Sequence, residues 1–91
     1  MGPEPVTPRP RKWKRILSAF AEGRSLNRFD AERIGDHVLH STVAAIEARG
    51  VRIERQEETI SGYGGAPTRC KRYRLAPESR SRALELLGPS A

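Results

Sequence analysis

From Trp13 onward apolar residues return at Ile16, Leu17 and Phe20, the i, i+3, i+4, i+7 spacing that puts them on one face of a helix. Gly23 follows as a stop, so the spacing predicts a first helix beginning near Lys12. Asn27 stands three residues before Asp30, with Leu26 ahead of it and Ala31 behind. This capping-box and staple arrangement predicts a second, short helix ending at Gly35. Leu39, Val43 and Ile46 keep helical spacing up to Gly50, which sets a third helix whose start falls between His37 and Ser41.

After Gly50 the period drops to 2. "VRIERQEETI" alternates apolar and charged positions as a half-buried strand does, and "RCKRYRL" places Tyr73 and Leu75 on one face with Arg72 and Arg74 on the other. Between them lies the glycine-rich "SGYGGAPTR". "APESRSRALELLG" closes the chain as a helix, with Pro77 at its first position and Gly88-Pro89 as its stop. The predicted class is α+β, mainly α: three helices, a two-stranded β-hairpin and a C-terminal helix. Residues 1–11 hold four prolines and no apolar period, which predicts a disordered basic arm; 12–88 form one domain and 89–91 a tail.

The segment "RFDAERIGDHVLHSTVAAIEARGVRIER" has an alanine four residues before a glycine, a Ser-Thr-Val entry to the third helix, and an Ile-Glu-Ala-Arg-Gly-Val exit into a strand. In this it resembles the winged helix-turn-helix DNA-binding proteins. It is closest to small winged-helix proteins encoded in phages and prophages of proteobacteria, similar in "RFDAERIGDH", "STVAAI" and "RYRL" and over about residues 12–75. The turn "GDHVLH" is longer than in the simplest helix-turn-helix proteins. The resemblance implies a winged helix that binds double-stranded DNA, with the third helix in the major groove and the hairpin as a wing.

Charge agrees with that implication. Seventeen Lys and Arg against eleven Asp and Glu leave +6, and fourteen of the seventeen are arginine, whose planar fork suits phosphate and guanine. On the third helix a helical wheel turns Ser41, Ala44, Ala45 and Ala48 outward, with Thr42 and Arg49 at the flanks and His40 near the entry. This small face lacks the side chains that make bidentate base contacts, so direct reading rests on His40, Ser41, Thr42 and methyl contacts such as Ala45. An alanine face equally suits close packing on another helix, in this chain or a partner.

The candidate backbone contacts flank that helix. Arg9, Arg11, Lys12 and Lys14 come from the arm and first turn, Arg28 from the second helix, and Tyr63, Arg69 and Lys71 from the wing. Arg11, Lys12, Lys14 and Arg15 also oppose the dipole of the first helix, a cost that something outside the helix must offset. Arg72 and Arg74 have an alternative use in cross-strand pairing with acids such as Glu54.

Other chemistries find little support. The glycine-rich loop lies between strands and matches neither phosphate-binding pattern. Asp36, His37, His40 and Cys70 fit no zinc spacing, and neither Ser41 nor Cys70 has an evident base. The expectation is no enzyme, no metal and no cofactor. A single cysteine, no membrane-length apolar run and no visible secretory signal point to a soluble protein of a reducing intracellular compartment, which the resemblance implies is the bacterial cytoplasm or nucleoid. The expected function is regulation of phage or mobile-element genes. Its alternative is a protein-interaction winged helix in a larger nucleoprotein complex, and Leu84, Leu86 and Leu87 are candidates for a homodimer contact.

Overall fold

The computed structural model describes residues 11–61 and 63–88, the Tyr63 side chain excepted. Helices α1 (Lys12–Ala21), α2 (Arg28–Arg33) and α3 (Leu39–Glu47) are followed by strands β1 (Ile53–Ser61) and β2 (Pro67–Leu75) and by helix α4 (Arg80–Leu87). The class is α+β, as the change of period from 3.6 to 2 after Gly50 predicts. Pro77 opens a short 3₁₀ turn, Pro77–Ser79, that leads into α4 rather than the helix itself. No helix among the described residues is long and apolar enough to cross a membrane.

Local chemistry sets the element ends. The Asn27 side chain accepts the Phe29 and Asp30 N–H groups at 3.0 and 2.8 Å, and Asp30 accepts the Asn27 N–H at 3.2 Å, the full capping box. Leu26 and Ala31 are both completely buried, as a staple requires. The hairpin pairs antiparallel from Ile53↔Leu75 to Ser61↔Pro67. It reverses through Tyr63–Gly65, where Gly64 and Gly65 have φ of +76° and +80°, values a side chain would strain.

A third backbone segment joins the sheet. Leu26 donates its N–H to the Tyr73 carbonyl at 2.9 Å and accepts the Tyr73 N–H at 2.8 Å, so the linker between α1 and α2 covers the outer edge of β2. This pairing ties the helical half to the hairpin. One core results, in which Ile16, Leu17 and Phe20 of α1 meet Val43 and Ile46 of α3, with Ile53 and Tyr73 from the sheet and Ala83 from α4. The Arg80 guanidinium donates to the Ala21 carbonyl at 2.6 Å, placing a cation at the C-terminus of α1 where the dipole favours it.

The opposite end of α1 has no acidic residue in its first turn and no side-chain cap. Its compensation is Asp36, fully buried in the α2–α3 turn. One carboxylate oxygen accepts the Val38 N–H at 2.9 Å and lies 3.6 Å from Lys12 Nζ. The same carboxylate thus holds the chain at the entry to α3 and offsets the cationic start of α1. The turn itself needs glycine at Gly35, where φ is +89° and an added Cβ would stand 3.3 Å from the Arg15 guanidinium.

Candidate nucleic-acid interface

Helix α3 starts at Leu39, within the expected window. Its core stripe is Leu39, Thr42, Val43 and Ile46, which follows the i, i+3, i+4, i+7 rule with a threonine in an apolar slot. Thr42 is therefore buried, 6 % exposed, its hydroxyl 3.5 Å from the Val38 carbonyl. This corrects its placement on the outward flank: Thr42 belongs to the core. His40, Ser41, Ala44 and Ala48 are exposed, and Ala45 is half-buried.

Arg49 also differs from expectation. Its guanidinium lies 4.2 Å from the Trp13 ring centroid and donates to the Ala45 carbonyl at 2.7 Å, so it is folded back onto α1 and α3 instead of projecting from the flank of the outward face. Lys12 is engaged by Asp36. Lys14 lies 5.7 Å over Trp13 and borders a groove between α1 and α4. Arg11 and Arg28 are exposed, the latter 4.8 Å from the Phe29 ring centroid. Arg9 and the Tyr63 side chain lie outside the described residues.

The two faces of the hairpin do different work. On one, Ile53 and Tyr73 enter the core, and beside them Arg55 makes a paired contact with Glu47 of α3 at 2.7 and 2.9 Å while stacking 5.4 Å from the Tyr73 ring. The hydrogen bonds from Arg55 hold the Glu47 carboxyl below its ordinary range and push the guanidinium up in turn. By strand alternation Lys71 and Arg69 extend this same face outward. Both are exposed, and Arg69 is only loosely opposed by Glu57 at 3.9 Å. The hairpin face that touches the C-terminal end of α3 through Arg55 thus carries two exposed cations farther out, Lys71 standing across from Glu57.

The other face is closed by Glu58. Arg72 donates to it from Nε at 2.9 Å and from Nη2 at 3.1 Å, and Asn27 donates from Nδ2 at 2.7 Å. Arg72 reaches on to Asp30 and to the Ser25 hydroxyl, both at 3.1 Å, so one guanidinium joins the hairpin to the N-terminus of α2. Donation by Arg72, then Asn27, lowers the Glu58 pKa, and the Arg72 pKa rises through its bond to Glu58. Arg74 pairs with Glu54 at 2.7 Å. Of the four cations on β2, Arg72 is held by Glu58, Asp30 and Ser25, Arg74 pairs with Glu54 at the surface, and Arg69 and Lys71 are exposed.

Neither Arg55 nor Glu58 was singled out by the sequence, because their partners lie 8 to 31 residues away with no shared motif. Asp36 carries a local signal, an Asp accepting the N–H two residues on, which is an Asx turn. The Cys70 thiol is half-buried, and burial followed by the nearby Glu58 charge pushes its pKa up, which keeps it in the unreactive thiol form. No cluster of three His, Cys, Asp or Glu side chains suited to a metal occurs among the described residues. No protein-family model, no curated protein and no solved structure matches the chain.

Proposed function

We propose that the chain is a winged helix-turn-helix protein that binds double-stranded DNA and regulates phage or mobile-element genes by occupancy, inside a bacterial host. The observation that carries this reading is the Arg55–Glu47 contact, which joins the hairpin face bearing Lys71 and Arg69 to the C-terminal end of α3. A helix in the major groove would then have two cations at its side, placed for the phosphates that border the groove. The segment pairing Leu26 with Tyr73 supports the reading as well, since it makes the hairpin a rigid extension of the helical core.

The exposed face of α3 offers His40 and Ser41 as hydrogen-bonding groups and alanine methyls for thymine contacts. Thr42, Arg49 and Lys12 drop out as contacts, and the readout is correspondingly thin. Binding is therefore dominated by the backbone, with Arg69, Lys71, Arg28 and Arg11 as its cations and with sequence preference set by a few positions. Titration of duplex DNA at several salt concentrations tests the proposal. A falling log K against log [salt] is expected, and a flat line for every duplex overturns it.

A further inference from the structure

Helices α1 and α4 pack side by side and leave a groove of about 970 Å³ between them that shares no residue with α3 or the hairpin. On α1 the groove is lined from Lys14 through Ser18 to Ala21, and on α4 from Arg80 through Leu84 to Leu87, one helical stripe of each. Ile34 lies at its side. The apolar positions are more open than a monomer core requires: Ala83 is buried and Leu86 and Leu87 pack on the core, but Leu84 is 47 % exposed. Four cationic residues line the groove against one carboxylate, Glu22.

We infer that this groove docks an acidic amphipathic helix of a partner protein. The length fits, since eight to ten residues of α1 and α4 give a trough of about 12 to 15 Å, two to three turns of a bound helix. The small Ser18 and Ala21 side chains allow close approach of that helix, and Leu84 supplies the anchor for its apolar stripe. Charge selects the occupant. A second copy of this chain would set its own groove, of the same cationic excess, against this one, and residues 1–10 carry a single acid, Glu4. A helix with Leu on one face and Glu at the flanks meets both the apolar floor and the cations at the rim, of which Arg24 is exposed on the α1–α2 linker.

The test uses the full chain, ¹⁵N-labelled, and a synthetic peptide of about 14 residues with leucines at i, i+3, i+4, i+7 spacing and glutamates elsewhere. Controls are the scrambled peptide and its lysine counterpart. Saturable shifts at Ser18, Ala21, Arg24, Leu84 and Leu87 are expected with the acidic helix alone. Leu84→Glu should abolish them, and Arg24→Glu, at an exposed position, should weaken binding about tenfold. Equal binding of the scrambled peptide, or shifts confined to the hairpin, overturns the inference. So does concentration-dependent self-association that covers Leu84, or displacement of the peptide by a DNA duplex from these same residues. DNA binding through α3 stands or falls separately, because the peptide arm involves none of its contacts.

Discussion

Arg55 on β1 grips Glu47 on α3 with both terminal nitrogens of its guanidinium, Nη2 to Oε1 at 2.7 Å and Nη1 to Oε2 at 2.9 Å. The pair crosses from the hairpin to the helix that the proposed function places in DNA. Both side chains are about one-third exposed, so solvent screens the interaction and Arg55→Ala should cost only about 0.5 to 1.5 kcal/mol in chemical denaturation. Duplex affinity should fall by more than that loss of stability explains, because the hairpin, still tied to the core by the Leu26–Tyr73 pairing, loses the contact that fixes its angle to α3. Arg55→Lys should behave nearly as badly, since an ammonium cannot make the fork. Unchanged affinity in a folded Arg55→Ala protein would separate the hairpin from binding.

Acid should loosen the two glutamate clusters. Glu47 and Glu58 are held below the ordinary glutamate value of about 4.3 by the guanidiniums of Arg55 and Arg72. Above that value both are ionised in folded and unfolded chains alike, and their contribution to stability is complete. As pH falls toward and through the lower folded values, the unfolded chain binds more protons than the native one and the contribution is lost. Denaturation midpoints should be level near pH 6 and drop between about pH 5 and 3. Glu58→Gln should flatten that drop; curves running parallel to the parent would remove Glu58 from the account.

Asp36 is the buried group whose loss should be felt most. Asp36→Ala strands the Val38 N–H and leaves the cationic start of α1 without its counterion, at a cost of about 2 to 4 kcal/mol. A chain of this size should then melt about 10 °C lower or more. Lys12→Ala should cost at most about 1 kcal/mol, because Lys12 is 43 % exposed. Thermal melts of the two variants give the comparison, and equal effects would mean that the Lys12 pair, not the turn, is what Asp36 provides.

The elements were legible because their signals are local. Periodicity marked α1 and α3, the Asn27–Asp30 box marked α2, and glycines at Gly23, Gly35 and Gly50 adopt the positive φ that ends each helix. What could not be read depends on contacts across the fold. Leu26 looked like a staple and is also a sheet partner of Tyr73. Arg72 and Lys71 are neighbours with equal charge, yet strand alternation turns one to Glu58 and the other to solvent. Thr42 was misplaced because a hydroxyl does not register in an apolar count, although its position relative to Leu39, Val43 and Ile46 is a core position.

That burial separates Thr42 from its neighbour. Thr42→Val should leave the preferred duplex unchanged and stability within about 1 kcal/mol, since its only hydrogen bond among the described residues is a long one of 3.5 Å. Ser41, exposed one residue earlier, should behave in the opposite way: Ser41→Asn should shift preference at one base position by about 1 to 3 kcal/mol with stability unaffected. Selection of bound duplexes from a random pool reads both. A changed preference in Thr42→Val would mean that α3 reorients on binding.

The strand cations provide the sharpest division between fold and function. Arg69→Ala and Lys71→Ala remove exposed charges and should leave the melting curve in place. Each should weaken binding to all duplexes alike and reduce the slope of log K against log [salt] by about 0.9, the release of one phosphate's counterion. Arg72→Ala should do the reverse. It breaks bonds to Glu58, Asp30 and Ser25 at once, so it should cost about 1 to 3 kcal/mol of stability. Where the variant remains folded, its salt slope should match the parent, because a guanidinium held by two carboxylates contacts no phosphate and so displaces no counterion from the DNA. If Arg72→Ala lowers the slope while Arg69→Ala and Lys71→Ala do not, DNA lies on the Glu58 face of the hairpin and the assignment of α3 to the groove fails with it.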